Sequence, residues 1–175
     1  MFLNYKKWLL LLCSILILSG CGAQLNGIGD GAENQTHDIQ SIADLHDTSH
    51  FRKGALEHIF EGEINRRGDA VGFHYDGLPT KKGDVIDGTE TDPNQYGVYE
   101  AKIEVDGVKK KSNGGKSTLF PDEWDAQQVV DAINDAYEAR TFISGNTYEG
   151  LTKDGMPIRM YLDQNKKIIS AFPVY

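Results

Sequence analysis

Between Lys6-Lys7 and the small pair Ser19-Gly20 runs an apolar stretch of eleven residues, Trp8 to Leu18, interrupted only by Cys13 and Ser14. The stretch is too short for a comfortable bilayer span, which needs about 20 residues. A short positive region, an apolar run and small residues are the layout of a secretory signal peptide. Removal of residues 1–20 takes Cys13 away and leaves Cys21 as the one cysteine of the 155 residues that follow. No internal disulfide can then form, although an oxidising compartment would permit one. The fold must therefore come from a hydrophobic core, and the remaining length suits one domain plus a tether.

Leu18-Ser19-Gly20-Cys21 resembles the lipobox of bacterial lipoproteins. The resemblance implies lipidation of Cys21 at the new N-terminus, a lipid anchor in the cell membrane and a domain outside the cytoplasm. An ordinary signal peptide with a chance cysteine, or an uncleaved anchor helix, is the competing reading. Residues 22–36 are rich in Gly, Asn and Gln with almost no apolar periodicity, as a flexible tether would be. The expected boundaries are a signal peptide over 1–20, a lipidated tether over 21–37 and a domain over 38–175.

The chain has 18 basic and 26 acidic residues, and loss of Lys6 and Lys7 takes its formal charge from −8 to −10. So acidic a protein is no general nucleic-acid coat. A local positive patch would still serve an enzyme acting on RNA.

The apolar positions Ile39, Ile42, Ala43, Leu45 and Phe51 predict one or two short helices between Asp38 and Leu56. Val98 to Val105 alternates as a half-buried strand does, and Asp106-Gly107 followed by Val108 signals a two-residue hairpin. A helix is expected to open at Pro121 to Trp124, capped by Asp122, with Val129, Val130, Ile133, Ala136 and Tyr137 as its apolar face. Three strands follow over 146–151, 157–162 and 168–175, separated by turn residues. The expected class is α+β: a single small domain with N-terminal helices, one central helix and a twisted antiparallel sheet.

Five histidines remain after cleavage, and two have a distinctive context: His58 in Glu57-His58-Ile59-Phe60-Glu61-Gly62 and His74 in Val71-Gly72-Phe73-His74. A glycine two residues before a histidine marks a place where the backbone folds tightly around it. Asn113-Gly114-Gly115-Lys116-Ser117-Thr118 invites a phosphate-loop reading, but that pattern needs a glycine where Lys110 stands. What survives is a Gly-rich turn carrying Lys116 and two hydroxyls, expected just before a helix N-terminus, a place that favours anions. Lys109, Lys110 and Lys111 add a positive patch. The same segment also reads as a solubilising hairpin loop.

The stretch from Glu57 to His74 resembles the paired-histidine region of the EndoU family of endoribonucleases, where a first His in a His-Ile context precedes a second His that follows a Gly. Here the two lie sixteen positions apart. Gly97-Val98-Tyr99-Glu100-Ala101, the run Asn113 to Pro121 and the ending Phe172-Pro173-Val174-Tyr175 are similar to the bacterial branch, including contact-dependent toxin domains. One departure stands out: where the family has a Tyr before the Pro, this chain has Phe172.

The resemblance implies an EndoU/barnase-like architecture and cleavage of single-stranded RNA near uridine, leaving a 2′,3′-cyclic phosphate. The RNA's own 2′-hydroxyl is the nucleophile, so the protein supplies a base, an acid and a cation. By analogy His74 is the base, His58 the acid and Lys116 the cation. Ser117 or Thr118 would hydrogen-bond a uracil edge, and Phe172 or Tyr175 would stack on the base. No cofactor or metal is expected. The partners expected are RNA and a membrane through Cys21. The toxin branch admits an immunity protein, and no DNA is expected. Two competing readings share the fold: a catalytically silent binding lipoprotein, and an envelope interaction protein.

Overall fold

The computed structural model describes residues 39–175. The signal peptide, Cys21 and the tether lie outside the described residues. Among the described residues no helix is long and apolar enough to cross a membrane.

The class is α+β. In place of N-terminal α-helices there are two 3₁₀ turns, Ile42–Asp44 and Thr48–His50, and a π-helical turn, Glu57–Glu61. Ile39, Ile42 and Phe51 pack against the main core and Leu45 is part of it. The segment is thus held by tertiary contacts, and too short for a helix to sustain itself.

Two antiparallel sheets follow. The spine of the first is β4, Tyr99–Val105, whose buried positions alternate over its whole length. On one edge β3, Gly83–Val85, pairs with it. Against it also lie β5, Val108–Lys109, reached through the Asp106-Gly107 turn, and β6, Lys116–Leu119. β5 pairs with Glu104 and Val105, and β6 pairs with residues 99–102. They are therefore successive pieces of one strand. Between them the chain leaves the sheet through a 3₁₀ turn, Ser112–Gly115. A small ribbon, β1 Glu63–Ile64 with β2 Ala70–Val71, stands beside this sheet.

The second sheet has the order β10-β9-β8-β7, from Ile168–Pro173, Pro157–Leu162, Thr147–Leu151 and Thr141–Ser144. One face carries α1, Ala126–Glu138, so closely that a Cβ on Gly150 would overlap the Ala136 carbonyl. Val129, Val130, Ile133, Ala136 and Tyr137 are buried as expected. The helix starts later than expected. Asp125, not Asp122, is its cap: the Asp125 carboxylate accepts from Gln128 N at 2.8 Å while Gln128 accepts from Asp125 N at 2.8 Å. Asp122 accepts the Tyr99 hydroxyl at 2.6 Å instead. Asp125→Ala is expected to cost about 1 kcal/mol through the lost cap. The urea midpoint should fall with the denaturant slope unchanged.

The main core lies between α1 and the second sheet, and a smaller one fills the inner face of the first. The other face of the second sheet turns towards β6 and the π-helical turn through β10. A cleft of about 690 Å³ opens there.

Candidate active site

The π-helical turn and the segment after β2 form the floor of this cleft. Phe73 N donates to His58 O at 2.9 Å and His74 N to Ile59 O at 2.7 Å. These bonds bring the two histidine rings to a centroid distance of 6.4 Å. The approach needs Gly72: its φ is +74° and a Cβ there would overlap the His58 carbonyl oxygen. Phe73 next to it is a fully buried L-residue at φ +60°. Such a conformation costs on the order of 1–3 kcal/mol and persists only where packing enforces it, commonly at functional sites.

The two rings have different partners. His74 is buried, and its Nδ1 lies 2.8 Å from Thr118 O. A carbonyl can only accept, so Nδ1 carries the hydrogen and Nε2 of the neutral ring keeps its lone pair. Burial first, then the Lys110 charge, push the His74 imidazolium down to about 3, against a smaller opposing effect of the Thr118 bond. His58 instead has Glu63 Oε1 2.9 Å from its Nδ1. Both nitrogens of a doubly protonated ring are donors; Glu63 accepts from one and leaves Nε2 able to give a proton. Two rings, one held neutral and one set against a carboxylate, suit a base and an acid.

The cation in the cleft is not the expected one. Strand parity decides it, because successive side chains leave opposite faces. Lys116 sits opposite Lys102 on the outer face of the first sheet, where its Nζ pairs with Glu100 at 3.0 Å. It does not line the cleft, and it opens a strand rather than preceding a helix N-terminus. Lys110, where the chain leaves the sheet, faces Ile103 and points inward. It lines the cleft, and burial lowers its ammonium to about 8. Lys111 reaches Asp69 at 3.5 Å.

Ser117 is also displaced from its expected role. It is 1% exposed, accepts from Lys110 Nζ at 2.7 Å and donates to Gly72 O at 3.0 Å. Thr118 does border the cleft, as do Phe172 and Tyr175. Phe172 stacks on His74 with centroids 5.2 Å apart, so that face of the ring is taken. The Tyr175 hydroxyl donates to Asp92 O at 2.9 Å. Sequence reasoning missed Lys110 as a site residue, Glu63, and two residues on β9: Tyr161, exposed at the cleft, and Arg159, held by Glu149 at 2.7 Å. Their signal was the alternation of β9, which puts Arg159 and Tyr161 on the face opposite the buried Ile158, Met160 and Leu162. His46 and His50 do not line the cleft, and His37 lies outside the described residues. Among the described residues no group of three or more His, Cys, Asp or Glu could hold a metal ion.

The buried neutral His74 makes stability depend on pH. Unfolded, the ring titrates near 6.5; folded, near 3. Between those values the unfolded chain binds a proton that the folded chain does not. The stability from this group is therefore complete above about pH 6.5 and is lost as pH falls towards 3. Urea unfolding between about pH 7 and pH 4 should show a steeper loss for the wild type than for His74→Gln. Equal slopes would remove His74 as the cause.

A family model described as Bacterial EndoU nuclease matches residues 52–175. A Bacillus cereus protein named Toxin is 46% identical over 148 residues, covering 85% of this chain. The chain spans 27% of the length of that curated relative. No solved structure matches the chain.

Proposed function

Because the chain belongs to the bacterial EndoU nuclease family, we propose that it is an endoribonuclease that cleaves single-stranded RNA beside uridine by transesterification. The observation that carries this reading is the meeting of His58, His74 and Lys110 around one cleft, each with a different polar setting.

The 2′-hydroxyl attacks the adjacent phosphorus and its proton passes to Nε2 of His74. The P–O5′ bond breaks, and His58 gives its proton to the leaving O5′. The products are a 2′,3′-cyclic phosphate and a 5′-hydroxyl. Burial makes His74 a weak base in the empty cleft, and a bound phosphate raises its basicity by opposing the Lys110 charge. Lys110 faces the extra negative charge of the phosphorane, where a fixed cation in a desolvated site is most effective. Thr118 borders the cleft, and its carbonyl holds His74 Nδ1. Tyr161, Phe172 and Tyr175 supply aromatic surface for bases. The scheme requires no metal, so cleavage should persist in a chelator.

The decisive test is incubation of purified residues 22–175 with an RNA oligomer containing one uridine among deoxynucleotides that lack a 2′-hydroxyl. A cyclic phosphate on that uridine supports the reading; an intact oligomer, or a cut elsewhere, counts against it.

Export and lipid anchoring form part of the same proposal and rest on Leu18-Ser19-Gly20-Cys21. Cys21→Ser should move the protein out of the membrane fraction or block processing. Unchanged fractionation with normal processing would exclude a lipid on Cys21. Resemblance to a toxin leaves an immunity protein as a further proposed partner, and a tethered nuclease would meet RNA outside its own cytoplasm.

A further inference from the structure

Behind Lys110, out of reach of RNA, lies the Ser117 hydroxyl. Ser117 is 1% exposed and sits on the inner face of β6, between Lys110 and Gly72. It accepts from Lys110 Nζ at 2.7 Å and donates to Gly72 O at 3.0 Å, while the same ammonium approaches Gly72 O at 3.5 Å. Gly72 in turn belongs to the segment whose next two amides bond His58 O and Ile59 O. A lysine otherwise has four rotatable stem bonds and a point charge.

We propose that Ser117 is a positioning residue, which ties the Lys110 ammonium to the Gly72 carbonyl and so holds the cation in register with His58 and His74. The catalytic part of the proposal rests on the reading of the cleft as a ribonuclease site; the positioning part does not. Ser117 has no role in reading the base. Its one hydrogen is given to Gly72 O, which aims an oxygen lone pair at the ammonium. Both partners are neutral oxygens, so the hydroxyl and the carbonyl steady the charge without neutralising it. A carboxylate, by contrast, would cancel the field that the phosphorane needs.

The direct test is titration of the Lys110 ammonium by carbon-13 NMR of its ε-carbon, in the wild type and in Ser117→Ala. Ser117 accepts a hydrogen bond from the charged form, so its loss should lower the Lys110 titration by about half a pH unit or more. An unchanged titration would overturn the proposal whether or not the protein cuts RNA.

The catalytic test is a double-mutant cycle on the uridine oligomer. Ser117→Ala should lower the rate at saturating RNA about ten-fold, the value of one hydrogen bond to a charged group. KM should change little, and the alkaline limb of the rate profile should move to lower pH with the lysine. In a Lys110→Ala background the same substitution should cost almost nothing, because the residue it positions is gone. An equal cost in both backgrounds means a merely structural role and overturns the proposal. Ser117→Thr, which keeps the hydroxyl, should restore most of the rate. If Ser117→Ala does not fold, Ser117→Cys replaces it, with a weak acceptor at similar volume, and a wild-type rate in that variant would overturn the proposal. A wild type that leaves the oligomer intact defeats the ribonuclease reading; active wild type with a normal Ser117→Ala defeats the positioning alone.

Discussion

His74→Ala is expected to lower the cleavage rate at saturating RNA by about 10²- to 10⁴-fold, the range typical of a lost general base. His58→Ala should fall in the same range, and the double variant should be little worse than either single one, because acid and base act in one event. The pH profiles should separate the two. With His58 removed, the limb that reports the protonated acid should vanish. With His74 removed, the limb that reports the free base should vanish. His74→Ala also strands the Thr118 carbonyl and uncovers the Phe172 ring, so thermal unfolding must accompany the rate. His46→Ala and His50→Ala are the controls: His50 stacks on Tyr137 and pairs with Glu138, away from the cleft lining. Equal loss from all four single variants would point to folding damage and sink the acid–base assignment.

The second large effect separates two lysines that lie six positions apart. Lys110→Ala should cost about 2.7–4 kcal/mol of barrier, the range of a removed preorganised charge stabiliser. Lys116→Ala should leave the saturated rate within a few-fold of wild type, since it breaks only a half-exposed pair with Glu100, worth about 1 kcal/mol or less. Lys109 and Lys111 should affect binding and its salt dependence more than the rate. If Lys116→Ala proves as damaging as Lys110→Ala, the geometric assignment of the cation is wrong.

The contrast shows where sequence reading succeeds and where it stops. Local signals were dependable. Asp106-Gly107 closes the hairpin, the apolar face of α1 is buried residue for residue, and β9 and β10 lie where alternation put them. The paired histidines were legible because a family context marked them. The Gly-Gly-Lys-Ser order points to Lys116, yet parity carried on from Val108 leads to Lys110. Val108 pairs with Val105 of the buried face, Lys109 points out, and Lys110 points in. That inference needs only the period of two, but it stops at Lys111, where the chain leaves the sheet, and nothing local says where it returns.

Other gaps have tertiary causes. β7, Thr141–Ser144, is exposed at all four positions, so it has no buried face and no alternation to betray it. Glu63 reaches His58 only because a π-helical turn sets the intervening residues. Asp125 caps the helix in place of Asp122 because Gln128, three residues on, closes a reciprocal pair with it.

The broken strand formed by β5 and β6 has a consequence for how such domains can diversify. Both pieces are anchored to β4, one by its turn and one by its own ladder, so residues 111–115 are a detour whose length the sheet does not measure. Insertions or deletions within that detour should be tolerated, and could reshape the rim of the cleft. One residue deleted inside Lys116–Leu119 is another matter. It would shift the frame of the ladder, send Ser117 to solvent and bring a neighbour into the core. Related chains should therefore vary in length on one side of Lys116 and hold a constant count on the other.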